Sequence, residues 1–214
     1  ARSTPILMIP LLVDFSKKKV AIFGGGDVGA RKAAFFAQEG SVVVYSRSFS
    51  PALTDLPVTR ITIDLGGIPD EKLLSLLEGF FCAVAATPDP GLNNRIGEAC
   101  RRKGILFNNA EGERGDFLIP SVVRGEHFIL AVSTEGASPA IPRFIREHLE
   151  ETFPYLDRMV SVQERLRAYL RECQPDPQVR REILWNVLKD RDVWAALRKG
   201  ETYTWSLIAG RYLA

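Results

Sequence analysis

A short apolar run that leads directly into a glycine turn and then a helix is the feature that most constrains the fold of this 214-residue chain. Residues 20–40 read VAIFGGGDVGARKAAFFAQEG, in which Gly24, Gly26 and Gly29 follow the spacing GxGxxG. In that spacing one glycine makes a tight turn, one lets backbone N–H groups approach a pyrophosphate, and one lets the helix pack closely on the strand. The stretch therefore predicts a dinucleotide-binding turn, and a tight turn without a ligand is the alternative.

The chain up to residue 109 alternates between short apolar segments and segments with helical spacing. Such alternation is typical of a parallel sheet that is covered by helices on both faces. The sequence therefore predicts an α/β fold for this part of the chain. The predicted strands cover residues 20–23, 41–46, 58–64, 80–87 and 105–108, and the predicted helices cover residues 28–39, 70–78 and 92–103.

The pattern changes after residue 109. Residues 117–133 are predicted to form two strands joined at residues 124–126, and Pro142 is predicted to open a helix, because the first helical position tolerates proline. Helical spacing continues from residue 143, with a break at residues 174–178. We expect a Rossmann-type parallel-sheet domain over residues 1–112, a small α+β segment over 113–150 and a helical C-terminal domain over 151–214.

Composition excludes several classes of partner. Lys and Arg number 28 against 26 Asp and Glu, and the two signs alternate along the C-terminal third, so we expect neither nucleic acid nor a membrane as a partner. The longest apolar stretch, residues 6–13 (ILMIPLLV), falls far short of the ~20 residues that span a bilayer. Three cysteines without CxxC spacing suit a reducing compartment, so we expect a cytoplasmic protein.

The end of the second predicted strand bears on the choice of cofactor. A dinucleotide-binding fold often places an acid there to hold the ribose 2′-hydroxyl, whereas this chain has Tyr45, Ser46, Arg47 and Ser48. Arg47 beside two hydroxyls favours NADP, because it can pair with a 2′-phosphate. A solvated Arg47 without a ligand is the equally weighted alternative.

Chemistry is expected beyond the carboxyl ends of the parallel strands, where ligands bind in open α/β sheets. A dehydrogenase needs a base for the proton that accompanies the hydride, and Glu111 and Asp116 are the candidates after the fifth strand. Thr87, Asp89 and Asn93 follow the fourth strand. Neither histidine of the chain lies in a metal-ligand spacing, so no metal site is expected.

Several ordered motifs resemble the precorrin-2 dehydrogenase family, which includes the N-terminal part of siroheme synthases. They are IPLLVDF, KVAIFGGGDVGARKAAFFAQEG, AATPDPGLNNRI, ILFNNAE and DFLIPSVVRGEHFILAVSTEGASPAIPRFIREHLEETFP. The resemblance covers residues 9–155 and implies a homodimer in which the middle segment, residues 113–150, is the dimerisation segment. It also implies oxidation of precorrin-2, a tetrapyrrole, to sirohydrochlorin with NAD, a step in siroheme biosynthesis.

Two functional alternatives stay open beside this reading. Some family members also insert ferrous iron, and the sequence leaves open whether this chain has that ferrochelatase activity. Glu135 stands in a turn where the family has a glycine, which puts iron insertion in particular doubt. A non-catalytic NAD(P)-sensing regulatory module is the alternative from another class. We follow the resemblance in expecting NAD, with NADP left open.

The resemblance also implies the site residues. The family's catalytic aspartate aligns with Glu111, and a shorter loop keeps Asp116 as a second candidate for the base. The implied cofactor contacts are Gly24, Gly25, Gly26, Asp27, Val28, Ser46, Arg47, Ser48 and Phe49, together with Thr87 after the fourth strand. The residues expected to bind the substrate are Asn108, Arg124, Ser133, Thr134 and Ser138.

Overall fold

A computed structural model of the chain describes residues 8–111 and 114–213. The chain divides into two compact units, of which the first extends to Ile119 and the second begins at Pro120. The three-part division at residues 112 and 150 stays a prediction. The first two residues of the apolar stretch 6–13 lie outside the described residues.

The first unit contains a five-stranded parallel sheet. Its strands are β1 (Lys19–Phe23), β2 (Ser41–Ser46), β3 (Val58–Thr62), β4 (Cys82–Ala85) and β5 (Leu106–Asn109). They lie in the order β3-β2-β1-β4-β5, and Val20 of β1 pairs with Val42 on one side and Cys82 on the other. The predicted Rossmann-type fold is confirmed, and the strand order reverses between β1 and β4, where such sheets bind ligands.

Three helices cover this sheet: α1 (Asp27–Phe36), α2 (Asp70–Leu76) and α3 (Pro90–Lys103). Asp89 caps α3 by accepting from the backbone N–H groups of Gly91 and Leu92, and Gly104 ends it with a φ of 66°. An aspartate before a helix and a glycine after it are typical N-cap and C-cap residues, and both can be read from the sequence. Helix α1 ends at Phe36, three residues before the predicted residue 39, although Ala37 and Gly40 still donate their N–H groups to the carbonyls of Ala33 and Phe36.

Apolar residues cover both faces of the sheet. Alternate residues of β1 point to opposite faces: Phe23 packs with Tyr45 and Phe107 on one face, and Ile22 packs with Phe36 on the other. Burial on both faces explains why these strands read as continuous apolar runs. Cys82 and Cys100 lie in the same cores, and burial raises the pKa of each thiol to about 12, whereas Cys173 is exposed.

The second unit begins with an antiparallel hairpin of β6 (Ser121–Arg124) and β7 (Ile129–Val132). Five helices follow in the described residues: α4 (Ala140–Thr152), α5 (Leu156–Cys173), α6 (Pro177–Lys189), α7 (Arg191–Leu197) and α8 (Glu201–Tyr212). Pro142 was predicted to open α4, but the helix begins two residues earlier and holds Pro142 in its first turn. The first-turn N–H groups have no intrahelical acceptor, so a proline there removes no hydrogen bond.

The turn of the hairpin is attached to α5. Asp157 accepts hydrogen bonds from the backbone N–H of His127 at 2.9 Å and of Glu126 at 3.0 Å. These bonds hold the pKa of the Asp157 carboxyl below its usual value. A Cβ at Gly125 would overlap this carboxylate, so a larger residue there would displace the Asp157 side chain from the turn.

The helices α5 to α8 share an apolar core that includes Met159, Leu166, Leu170, Val187 and Ile208. Helix α4 differs, because its apolar residues Ile141 and Phe144 are exposed, Phe144 by 68%. Within the second unit, an apolar face of α4 is thus left uncovered. In the part of the chain that the structure describes, no helix combines the length and apolarity needed to cross a membrane.

Candidate active site

The turn between β1 and α1 is closed by Gly24, whose φ of 114° favours glycine. A Cβ at this position would overlap the carbonyl oxygen of Ala86, which follows β4. The N–H of Gly24 donates to the carbonyl of Tyr45 in β2 at 2.9 Å. The turn therefore lies directly against the carboxyl ends of β2 and β4.

The other two glycines of the motif differ in their surroundings, because Gly29 is closely packed and Gly26 is open to solvent. A Cβ at Gly29 would overlap the carbonyl oxygen of Gly24, so α1 approaches the turn more closely than any other residue would allow. Gly26 is exposed, and no described atom lies within 4 Å of a Cβ built there. Packing explains Gly29, whereas the open space at Gly26 leaves room for a ligand to approach the backbone.

Gly26 is also the N-cap residue of α1, and no described side chain caps this helix end. The first helical hydrogen bond runs from the N–H of Ala30 to the carbonyl of Gly26 at 2.8 Å. The N–H groups of residues 27–29 thus have no helical acceptor, and the helix dipole adds a partial positive charge at the same place. This open helix end fits the pyrophosphate of a dinucleotide.

The segment Ser46–Phe49, which follows β2, lies against the glycine turn. A Cβ at Gly25 would overlap the carbonyl oxygen of Ser48. Ser50 connects the two segments, because its N–H donates to the carbonyl of Gly25 and its hydroxyl donates to Oδ1 of Asp27, each at 2.7 Å. The structure therefore brings together the two groups of predicted cofactor residues.

Arg47 lies in this segment and is exposed. Its guanidinium makes no hydrogen bond or ion pair with any residue that the structure describes. It is therefore available near the end of β2, where the adenosine ribose binds in this fold. This position suits contact with a 2′-phosphate and solvation equally, so it does not decide between NADP and NAD.

The loop after β4 is held by Asn93 from the first turn of α3. Asn93 is fully buried, accepts the hydroxyl proton of Thr87 at 2.6 Å and donates to the carbonyl of Thr87 at 3.0 Å. The Thr87 hydroxyl is thus engaged within the loop, and its predicted contact with the cofactor stays a prediction. Sequence reasoning gave Asn93 no role, although a polar residue between Leu92 and Ile96 on the buried face of a helix was the available signal.

Glu111 lies just past the carboxyl end of β5 and is exposed. Its backbone N–H donates to Oδ1 of Asn109 at 3.3 Å, which fixes the backbone where the strand ends. The neighbouring residue Ala110 donates its N–H to the carbonyl of Ala85 at the end of β4. Glu111 therefore lies at the edge of the sheet where ligands bind, on the strand next to β4.

Asp116 has a different setting, along the outer edge of β5. Its carboxylate accepts the N–H of Phe107 at 2.9 Å, and its own N–H donates to the carbonyl of Phe107 at 2.7 Å. Asp116 thus satisfies the N–H and the carbonyl of Phe107, which lies two residues before the end of the edge strand β5. Its carboxylate is occupied by the backbone, unlike that of Glu111.

Asn108 is 2% exposed and donates from Nδ2 to the carbonyl of Phe117 at 2.8 Å. Its Oδ1 is buried and has no hydrogen-bond partner among the described residues. The side chain therefore holds the segment that follows Asp116 against β5. Its predicted contact with the substrate stays a prediction, and such a contact would require this segment to move.

Three of the predicted substrate residues of the second unit, Ser133, Thr134 and Ser138, lie on one compact turn. The Thr134 hydroxyl donates to the carbonyl of Ser138 at 2.8 Å and accepts the N–H of Ser138 at 3.0 Å, while the Ser133 hydroxyl accepts the N–H of Glu135. Glu135 has a φ of 53° and Gly136 of 90°. The glutamate thus occupies a left-handed conformation that glycine adopts more easily.

Arg124 ends β6 and is exposed. Its roles and those of the turn residues toward a substrate stay predictions. Across residues 8–111 and 114–213, no group of three or more His, Cys, Asp or Glu side chains is placed to hold a metal ion.

Comparison with known proteins agrees with this geometry. The sequence profile of a family described as "Putative NAD(P)-binding" matches residues 11–121, which include the glycine turn and the whole parallel sheet. The fold and the turn therefore define a Rossmann-type protein that binds a nicotinamide dinucleotide.

Longer similarities extend into the second unit. A precorrin-2 dehydrogenase of Methanosarcina barkeri is 36% identical over 191 residues, which are 87% of this chain and 85% of that protein. A siroheme synthase of Photobacterium profundum is 30% identical over 190 residues, 86% of this chain, but only 39% of that longer protein. A solved structure described as SirC, precorrin-2 dehydrogenase, has a TM-score of 0.69 at 21% identity and covers 95% of this chain and 100% of its own. The chain belongs to the precorrin-2 dehydrogenase family.

Proposed function

We propose that this chain oxidises precorrin-2 to sirohydrochlorin in siroheme biosynthesis, with NAD as the hydride acceptor. The observation that carries the proposal is the open helix end at Gly26, at the point where the strand order reverses, in a chain of the precorrin-2 dehydrogenase family. A nicotinamide cofactor bound there supplies the chemistry of hydride acceptance. The substrate loses two hydrogens, one as a hydride and one as a proton.

The protein binds and orients the cofactor through backbone groups. The N–H groups at the start of α1 hold the pyrophosphate, and Gly26 leaves room for it. The hydrogen bond from Ser50 keeps the Asp27 carboxylate on the side of the β2 segment. Because Gly24 and Gly29 fit against each other, this part of the site is rigid before the cofactor binds.

We propose that Glu111 is the base that accepts the proton lost by the substrate. Its carboxylate lies past the end of β5 and is exposed, whereas the Asp116 carboxylate accepts a backbone N–H of the same strand. A base in this position contributes typically about 10²- to 10⁴-fold to the rate. Asp116 then acts as a positioning residue for the end of β5 and the loop that carries Glu111.

The choice of NAD over NADP rests on the family resemblance, and Arg47 allows it to be tested. A guanidinium that binds a 2′-phosphate contributes about 1.5–3 kcal/mol, or roughly 10- to 100-fold in affinity. Under the proposal, Arg47→Ala leaves the Kd for NAD nearly unchanged and wild-type protein prefers NAD in turnover. A wild-type preference for NADP that Arg47→Ala abolishes would reverse the assignment.

We propose that the chain acts as a cytoplasmic homodimer. The uncovered apolar face of α4 supports the dimer, because exposed apolar patches commonly mark contact surfaces. The three cysteines are all free thiols, which supports a reducing compartment. Arg124, Ser133, Thr134 and Ser138 are proposed to bind the carboxylates and ring of the tetrapyrrole.

The proposal is tested by mixing the purified protein with precorrin-2 and either NAD or NADP and following the absorbance of sirohydrochlorin. We expect turnover with NAD, and none with the Gly26→Asp variant. A non-catalytic nucleotide sensor would bind NAD without forming product, and that outcome would overturn the proposal. Adding ferrous iron to the same assay shows whether the product is metallated, which is the open question of ferrochelatase activity.

A further inference from the structure

The second unit contains a cleft between α5 and α6 with a volume of about 380 Å³. Arg167 and Arg171 line it from α5, and Arg180, Arg181 and Trp185 line it from α6. Leu170 and Leu184 supply its apolar part, and no carboxylate lines it. Four guanidinium groups line the cleft and no acid does, so the cleft is positively charged.

Three of the four guanidinium groups have no partner. Arg180 donates to the backbone carbonyls of Gln174 at 2.6 Å and Pro175 at 2.9 Å, so it holds the connection between the two helices. Arg167, Arg171 and Arg181 make no hydrogen bond or ion pair with any described residue. Elsewhere in this unit Arg143, Arg146 and Arg211 form ion pairs, whereas Arg124, Arg191 and Arg198, like the three cleft arginines, form none with described residues.

The helical positions of these residues place like charges near one another on the exposed surface of α5 and α6. Arg167 and Arg171 are four residues apart on α5, where like charges destabilise a helix. Arg181 follows directly after Arg180, and the two helices bring both pairs to one cleft. A bound anion would relieve this repulsion, and guanidinium groups bind carboxylates with two parallel hydrogen bonds.

The remaining lining residues point to a flat and partly apolar ligand. Trp185 is 53% exposed and lies four residues after Arg181 on the same side of α6. The ammonium of Lys189 lies over the Trp185 ring, 5.4 Å from its centroid, so a flat ligand that stacks on Trp185 uses the opposite face of the ring or displaces Lys189. Leu170 and Leu184 provide apolar contact. An inorganic ion would use the arginines alone, whereas a conjugated macrocycle with carboxylate side chains would use all of these groups.

We propose that this cleft is a second binding site for a polycarboxylate tetrapyrrole, in the helical unit of the chain. The choice of this ligand rests on the proposed function, which supplies a tetrapyrrole as both substrate and product. Oxidation removes hydrogens from the ring and leaves the carboxylates in place, so the cleft accepts the molecule before and after the reaction. The macrocycle lies against Trp185, and its carboxylates pair with Arg167, Arg171 and Arg181.

The test uses uroporphyrin, a stable polycarboxylate porphyrin, titrated into the full-length protein without nucleotide and followed by the absorbance of the probe. We expect more than one equivalent bound per chain. The double variant Arg171→Ala/Arg181→Ala should weaken one class of site by about 10- to 100-fold, because two charge-assisted contacts are lost. The matched control is Arg102→Ala/Arg191→Ala, which removes the same charge at exposed positions outside the cleft and should leave both classes unchanged.

A second readout keeps the test independent of the arginine variants. Uroporphyrin should quench the fluorescence of Trp185, and Trp185→Phe should remove that component of the quenching. A single equivalent whose affinity is the same in the double variant and in wild type would overturn the proposal. Binding of duplex DNA or polyglutamate that the double variant loses, with no loss for uroporphyrin, would also overturn it and would assign the cleft to a macromolecule.

Turnover of precorrin-2 by the wild-type protein is measured alongside and tests the proposed function alone. Absence of turnover with two classes of uroporphyrin site would reject the dehydrogenase and retain a polyanion cleft. Turnover with a single class of site, unaffected by the cleft variant, would reject the cleft and retain the dehydrogenase.

Discussion

Asp116 and Phe107 are joined by two hydrogen bonds, one to each backbone group of Phe107, at 2.9 and 2.7 Å. The carboxylate and the backbone N–H of Asp116 thereby satisfy the two backbone groups of Phe107 on the open edge of β5, where no further strand pairs. Asp116 is one of two candidate bases on sequence grounds, and this contact engages its carboxylate with the backbone, whereas the Glu111 carboxylate has no such contact with a described residue.

The first prediction concerns Glu111. Glu111→Gln keeps the shape of the side chain and loses the basic carboxylate, so kcat should fall by about 10²- to 10⁴-fold while the Kd for NAD stays nearly the same. Glu111→Asp should retain partial activity. Turnover of precorrin-2 and titration with NAD measure the two quantities, and near-wild-type activity of Glu111→Gln would remove Glu111 from the reaction.

The second prediction concerns Asp116 as a positioning residue. Asp116→Asn keeps an acceptor for the Phe107 N–H, so its turnover should stay within about tenfold of wild type. Asp116→Ala leaves that N–H without its acceptor and should lower the free energy of unfolding by about 1–3 kcal/mol. Denaturant unfolding and kcat are measured for both variants. If Asp116→Asn is inactive but stable while Glu111→Gln is active, the base is Asp116.

The third prediction contrasts two glycines of the motif. Gly26→Asp should fold normally, because the space beside Gly26 is open, and should abolish nucleotide binding by bringing a negative charge to the pyrophosphate. Gly29→Ala should instead destabilise the fold, by about 1–3 kcal/mol, because its Cβ overlaps the carbonyl of Gly24. Thermal unfolding and NAD titration distinguish them. Unchanged NAD affinity in folded Gly26→Asp would contradict the assignment of the cofactor site.

The fourth prediction is a dependence of stability on pH at Asp157. The backbone N–H groups of His127 and Glu126 lower the pKa of this carboxyl from 3.8. Its contribution to stability is therefore complete above about pH 5, well above the pKa of the unfolded carboxyl, and is lost as the pH falls through the lowered pKa. Asp157→Asn should lower the Tm at pH 7, and its difference from wild type should shrink at pH 3. The control Glu151→Gln, at an exposed carboxylate of the same unit, should change neither, and a pH-independent difference for Asp157→Asn would contradict the assignment.

The fifth prediction is that the chain is a dimer held in part by α4. Ile141 and Phe144 are large apolar side chains left exposed on one helix, and a two-stranded hairpin such as β6–β7 is marginal without further packing. Light scattering at micromolar concentration should show a dimer, and Ile141→Glu/Phe144→Glu should shift it toward monomer. Tyr203→Glu, at another exposed aromatic residue, is the control. A monomeric wild-type protein would contradict the prediction.

The parallel sheet and the glycine turn could be predicted from the sequence because both depend on local patterns. Continuous apolar strands, the spacing of Gly24 to Gly29, and the signals at Asp89 and Gly104 each lie within a few neighbouring residues. Helix ends were less accurate, as at α1 and α4, because propensity changes little from one residue to the next near a terminus.

The contacts that shape the site could not be predicted in this way. Asp157 binds N–H groups about 30 residues earlier in the chain, and Asp116 binds β5 across a loop. Such contacts depend on how a loop folds back on a strand or a helix, and hydrophobic periodicity contains no information about that. Asn93 is intermediate, because its position on an apolar helix face could have indicated a buried hydrogen bond, although not that Thr87 is its partner.

The fit of Gly29 against Gly24 has a thermodynamic meaning for the cofactor. A phosphate-binding backbone that were mobile in the free protein would lose conformational entropy on binding, and this loss would weaken affinity. Here α1 and the turn are locked together when the domain folds, so that entropy is lost at folding. A substitution that loosens this contact should therefore weaken both the affinity for the dinucleotide and the resistance to unfolding.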